Sequence, residues 1–122
     1  MMLKKIPESE LEVMKIIWNS KSKISSKEII EIMEDKKAWK NTTTLTLLKR
    51  LTEKNFITAE KIKRVTYYTA IVSEKSYLEM ETSTFFEKIH GSSLKSFITT
   101  LHDTNDITDE DLDELENWIK NR

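Results

Sequence analysis

Thr42-Thr43-Thr44-Leu45-Thr46-Leu47-Leu48-Lys49-Arg50-Leu51, followed beyond Lys54-Asn55 by Phe56-Ile57-Thr58-Ala59-Glu60-Lys61-Ile62 and Val65-Thr66-Tyr67-Tyr68-Thr69-Ala70-Ile71, is the stretch that decides the fold. In its first part Thr44, Leu47, Leu48 and Leu51 recur at i, i+3, i+4 and i+7, which puts them on one face of a helix capped by Asn41 or Thr42 and running to about Asn55. The later runs are rich in β-branched and aromatic residues and predict two strands turning at Lys63-Arg64. Neither turn residue is Gly or Asn, so a looser or longer loop is expected there.

Working towards the N-terminus, Pro7 suits the first helical position, and Leu11, Met14, Ile17 and Trp18 mark the buried face of a first helix. Ser25-Ser26-Lys27-Glu28 reads as a capping box that opens a second helix through Ile29, Ile30 and Met33, and Asp35 to Lys40 reads as a charged connection. Three short helices followed by a basic hairpin is the order of a winged helix-turn-helix. Towards the C-terminus the helical spacing returns. Leu78, Phe85, Phe86 and Ile89 form one apolar stripe, and Leu94, Phe97, Ile98 and Leu101 form a second. Gly91 should end the first of these helices, and a last one should start at the cap Thr108 and carry Leu112, Leu115, Trp118 and Ile119. The expected fold class is mainly α with a small β-hairpin wing. Residues 1–72 would be a winged helix-turn-helix DNA-binding domain, and 73–122 a helical dimerisation region.

Charge follows the same division. Residues 1–72 hold 15 Lys and Arg against 9 Asp and Glu, and residues 73–122 hold 5 against 12, so the formal net charge of −1 conceals halves of +6 and −7. With 122 residues, no Cys, one Gly and one Pro, the chain has no disulfide, thiolate metal site or Gly-rich phosphate loop. No apolar run approaches the roughly 18 residues that span a bilayer, and the N-terminus turns charged without a signal core. A cytoplasmic protein without membrane insertion is expected.

The face of the third helix opposite its core stripe presents Thr42, Leu45, Thr46 and Lys49, with Thr43 near its start and Arg50 beside Lys49. In a major groove, threonine hydroxyls bond phosphates or base edges, Leu45 packs on a thymine methyl, and Lys49 and Arg50 neutralise phosphates. The hairpin adds Lys61, Lys63 and Arg64. An ordinary solvated helix and an aggregation-resistant strand edge would look the same one at a time. Both basic elements belong to one small domain whose order turns them towards one duplex, and this favours DNA. The alternative is an interaction module that turns the same basic face to an acidic protein partner. Catalysis has little to stand on. His90 and His102 are twelve residues apart on separate helices and form no metal pair, and Asp103, Asn105 and Glu114 match a calcium loop that lacks its turn glycine. No serine sits in a nucleophile elbow, so neither an enzyme nor a cofactor is expected.

Glu10-Leu11-Glu12-Val13-Met14-Lys15-Ile16-Ile17-Trp18, the run Thr42 to Leu51 with Glu53-Lys54-Asn55-Phe56-Ile57, Gly91 to Phe97, and Asp111 to Leu115 together resemble the BlaI/MecI family of penicillinase and methicillin-resistance repressors. The resemblance runs nearly the whole length of the chain in order. It implies a homodimeric repressor on a palindromic operator, held together by its C-terminal helices and inactivated when a sensor-linked protease, triggered by β-lactam, leads to a cut in the C-terminal half. Leu45 stands where staphylococcal members carry an arginine, which implies a different base preference. The family's cleaved Asn-Phe dipeptide aligns with Thr100-Leu101. Copper sensing through C-terminal cysteines, known in a relative, is excluded because the chain has none.

Overall fold

The computed structural model describes residues 3–122, in the order α1 (Glu8–Asn19), β1 (Ile24–Ser25), α2 (Ser26–Lys37), α3 (Asn41–Glu53), β2 (Ile57–Ile62), β3 (Val65–Ala70), α4 (Glu74–His90), α5 (Leu94–Asp103) and α6 (Asp109–Lys120). The chain divides into two compact units between Met80 and Glu81.

The N-terminal unit closes around Val13, Met14 and Ile17 of α1, Ile29 and Met33 of α2, and Leu47, Leu48 and Leu51 of α3. The helical spacing that put Thr44 on the core face is correct, yet its hydroxyl is fully buried without a hydrogen-bond partner among the described residues. Glu10 is also buried, at 1% exposure, and its carboxylate accepts from the Lys54 ammonium at the end of α3. Burying a carboxylate is tolerable when a cation is held against it.

The expected hairpin is a three-stranded antiparallel sheet of order β1-β3-β2, with Ile24 opposite Tyr68 and Ser25 opposite Tyr67. A two-residue strand carries no periodicity, so β1 leaves no signal in the sequence. The Ser25 hydroxyl accepts from the Glu28 amide at 3.2 Å and itself donates to the Glu28 carboxylate at 3.0 Å. The reciprocal half of the expected box thus goes to the hydroxyl rather than to the Ser25 amide. Burial raises the Tyr68 hydroxyl above its ordinary pKa of 10.0.

Three local expectations are corrected. The turn is tight, since Ile62 pairs with Val65 and only Lys63 and Arg64 lie between them. Both take positive φ, 48° and 71°, as a type I′ turn demands, because its twist matches that of the strands it joins. The cap of α3 is Lys40, and no side chain closes that end, so neither Asn41 nor Thr42 serves as cap. Helix α2 continues to Lys37 before Ala38 ends it at φ 55°, so half of the charged connection is helix.

The end of α3 sets the start of the wing. Asn55 takes φ 62°, its amide donates to the Thr52 carbonyl at 3.1 Å, and the Phe56 amide donates to the Leu51 carbonyl at 3.0 Å. This is a Schellman motif with asparagine in the left-handed position, and it turns Phe56 into the core directly below Leu51.

The compact units meet inside α4, eight residues beyond the division expected at residue 72. Tyr77, in the first turns of α4, is buried with its ring 5.9 Å from that of Phe56 and 5.8 Å from that of Trp18. Its hydroxyl accepts from the Ile6 amide at 3.0 Å. The start of α4 is therefore part of the first core.

The C-terminal unit contains the rest of α4 with α5 and α6. Gly91 and Ser92, at φ 56° and 63°, end α4. Thr108 and Asp111 form a complete capping box on α6. Rings of Phe86 and Phe97 approach to 5.9 Å, and His102 bonds Asp109 at 2.9 Å, which links α5 to the start of α6. Not one residue of this unit is buried.

Candidate nucleic-acid interface

Helix α3 is seated by Thr44, Leu47, Leu48 and Leu51, all buried. That seating leaves Thr42, Thr43, Leu45, Thr46, Lys49 and Arg50 exposed, with Leu45 showing 44% of its area. The Thr46 hydroxyl donates to the Thr42 carbonyl at 2.8 Å, so its oxygen lone pairs stay turned outward as acceptors. The first turn of α3 has no acidic residue to oppose an approaching phosphate.

The second exposed basic element is the wing. Lys61 lies opposite Thr66 in the β2–β3 register, and Lys63 and Arg64 form the tip. All three are exposed, as are Thr58, Ala59 and Glu60 before them, so the distal hairpin stands clear of the core. Among the described residues none of Lys49, Arg50, Lys61, Lys63 and Arg64 is held in an ion pair, and their charge remains available to an external anion. The helix face and the wing tip are separate elements of one unit, joined through Lys54 and Asn55.

Two further exposed cations lie beside these elements and were not found by sequence reasoning. Lys40 sits at the N-cap of α3. Lys23 lies just before β1 with its ammonium 5.4 Å from the Tyr67 ring centroid on β3. The placement of Lys23 depends on the short β1–β3 pairing, which periodicity cannot reveal.

The residues expected at a dimer interface fall into two groups. Leu78, Phe85, Ile89, Leu94, Trp118 and Ile119 each expose half or more of their area. Phe86, Phe97, Ile98, Leu101, Leu112 and Leu115 are half-buried. The Thr100-Leu101 bond lies inside α5, and the Thr100 carbonyl accepts from both the amide and the hydroxyl of Thr104, each at 3.0 Å. The two histidines are engaged locally, His90 with Ser96 at 3.0 Å and His102 with Asp109. No helix among the described residues is long and apolar enough to cross a membrane.

Residues 6–121 match the family model described as penicillinase repressor. The penicillinase repressor of Bacillus licheniformis is 32% identical over 116 residues, covering 93% of this chain and 90% of the relative. The methicillin resistance regulatory protein MecI of Staphylococcus aureus strain Mu50 is 28% identical over 117 residues, covering 96% and 94%. The solution structure of monomeric Bacillus licheniformis BlaI in complex with the blaP half-operator superposes with a TM-score of 0.54 at 36% identity, covering 62% of this chain and 92% of that one.

Proposed function

This chain belongs to the penicillinase repressor family, and from that premise we propose that it is a cytoplasmic transcriptional repressor. It binds a palindromic operator as a homodimer and controls genes of β-lactam resistance or related genes, with repression relieved by proteolysis or another signal. The observation that carries the reading is the pairing of a solvent-facing α3 surface with a wing whose cations have no ion-pair partner among the described residues. Thr43, Leu45 and Thr46 read base edges, while Lys49, Arg50 and the wing cations neutralise the backbone. The neighbour bound to a half-operator supports a division of labour in which each protomer takes one half-site.

Dimerisation is supported by the C-terminal unit, where nothing is buried and large apolar side chains stay half exposed. Fully burying one such side chain is worth ~1.5–3 kcal/mol, so a few of them across an interface exceed the several kcal/mol lost on association. Relief of repression follows from a cut between Thr100 and Leu101 by a sensor-linked protease. The cut would detach Leu112, Leu115, Trp118 and Ile119 from the rest of the interface. Because the Thr100 carbonyl is doubly bonded within α5, the protease acts on a locally unwound form.

The test is binding to a palindromic duplex across a salt series. Affinity falls steeply with ionic strength as phosphate-bound counterions are released, and protection covers two half-sites about one helical turn, or a multiple of it, apart. A flat salt response, with binding to acidic proteins instead, would overturn it. Exposing the native host to β-lactam and mapping fragments by mass spectrometry tests the cleavage step. Derepression with an intact chain would exclude that step.

A further inference from the structure

Lys23 stands exposed just before β1, with its ammonium 5.4 Å from the centroid of the Tyr67 ring on β3. The pairing of β1 with β3 sets this contact. Ile24 lies opposite Tyr68 and both are buried, while Ser25 lies opposite Tyr67. Because side chains alternate along a strand, Tyr67 turns its ring to the face away from Tyr68, and Lys23 meets it there from the neighbouring strand. Among the described residues Lys23 is in no ion pair. Glu60 is the acid opposite Tyr67, but it belongs to β2, and the sheet order puts β3 between it and Lys23.

An aromatic ring attracts an ammonium through its quadrupole and carries no net charge, so Lys23 keeps its full positive charge and its N–H donors. A carboxylate would hold the same side chain and cancel it. The ring also restricts a long, flexible stem, so an anion arriving at Lys23 has less to order than at an unsupported surface lysine. Tyr67 is three residues from Arg64, a span of roughly 10 Å along a strand. Lys23 thus places a cation at the root of the hairpin whose tip carries Lys63 and Arg64. Cations that far apart match about three phosphate steps on one strand of a duplex, at about 3.4 Å of axis per step.

We propose that Lys23 is a further phosphate-contacting residue of this chain, and that Tyr67 is the positioning residue that holds its ammonium ready for the DNA backbone. The inference rests on the DNA-binding reading and extends it from the tip of the wing to its root. A lone carboxylate on a protein partner needs only one cation, whereas a backbone is a row of charges and suits a cation at each end of the hairpin. The contact is indifferent to base sequence, because phosphates alone receive it.

The experiment is fluorescence anisotropy of the full chain on a duplex of arbitrary sequence, about 30 base pairs long so that two half-sites fit, over about 0.05 to 0.2 M salt. Lys23→Met should weaken binding about tenfold per protomer near 0.1 M salt and flatten the salt slope by about one per protomer. Tyr67→Leu should weaken it about two- to fivefold with less change of slope, because the charge remains. The two losses should not add, since the ring acts through the lysine. Tyr67→Phe and Lys23→Arg should each recover most of what the harsher variant loses. Lys21→Met removes an exposed charge two residues earlier and should cost about twofold or less. Urea midpoints of the Lys23 variants should equal that of the unaltered chain, which marks their losses as losses of binding. Unchanged affinity or slope in Lys23→Met, or an equal loss in Lys21→Met, would overturn the phosphate contact while duplex binding itself stands. Additive losses would overturn the role of the ring. Failure of the unaltered chain to bind any duplex would overturn the DNA-binding reading, and this proposal with it.

Discussion

The two units use apolar side chains in opposite ways. Among the described residues of the N-terminal unit fourteen hydrophobic ones are buried, and the one exposed leucine of α3 faces away from that core. In the C-terminal unit the rest of α4 together with α5 and α6, with a complete capping box and an aromatic cluster, bury no residue. Local signals suffice to form a helix, but only a second apolar surface can close a core. The first unit finds that surface within itself, and the second does not.

The largest expected effect comes from removing the second unit. Ending the chain after Met80 should leave a cooperatively unfolding domain that contacts half-sites singly. Its affinity for a palindromic duplex should fall by ~10²–10⁴, the effective-concentration gain of a linked second site. Undiminished affinity, measured by fluorescence anisotropy, would break the contrast between a closed and an open unit.

The next effect concerns the buried charge in the closed unit. Lys54→Met leaves Glu10 without its cation and should cost about 3 kcal/mol, near the low end for a buried pair because the Lys54 side chain is 41% exposed. Urea denaturation reads this directly, and adding Glu10→Leu should recover most of the loss. If Lys54→Met proves neutral, the closure of the first core does not rest on that pair.

Smaller effects belong to the outer face of α3. Leu45→Ala and Thr46→Ala should change the preference among operator sequences by about 1–3 kcal/mol per altered base contact, with unfolding unaffected. Lys49→Ala or Arg50→Ala should instead weaken all duplexes alike and lower the salt slope by about one. Competition binding against a set of mutated operators separates the two patterns.

The smallest effect lies on the inner face of the same helix. Thr44→Val replaces a buried hydroxyl that has no partner among the described residues by a methyl of similar volume, and should stabilise the first unit by ~1 kcal/mol without changing DNA affinity. A loss of affinity would show that the hydroxyl is recruited in the complex.

Much of this was legible in the sequence because helical periodicity records burial. The stripe Thr44, Leu47, Leu48, Leu51 placed both faces of α3, and the change to β-branched residues after Asn55 placed the wing. What escaped depends on contacts that leave no local pattern. Glu10 reads as surface until Lys54, forty-four residues away, is brought against it. The pairing of β1 with β3 spans two residues, and the placement of Lys23 beside Tyr67 goes with it. The tight turn at Lys63-Arg64 was missed because its usual Asn and Gly are replaced by residues that rarely take positive φ. Tyr77 sits inside a helix whose later stripe is exposed, so the spacing alone could not show where the first core ends.

The Schellman junction at Lys54-Asn55-Phe56 also governs which changes in chain length the molecule can survive. Phe56 must meet Leu51 one step past the left-handed asparagine, and Ile57 begins the strand register immediately after. One residue added there would turn every side chain of β2 to the opposite face of the sheet, because strand side chains alternate with a period of two. The exposed tip at Lys63-Arg64 carries no such constraint and can lengthen by several residues for little loop-closure cost. Over evolutionary time, therefore, the wing of such a protein is free to grow at its far end, while its root keeps a constant count of residues from α3.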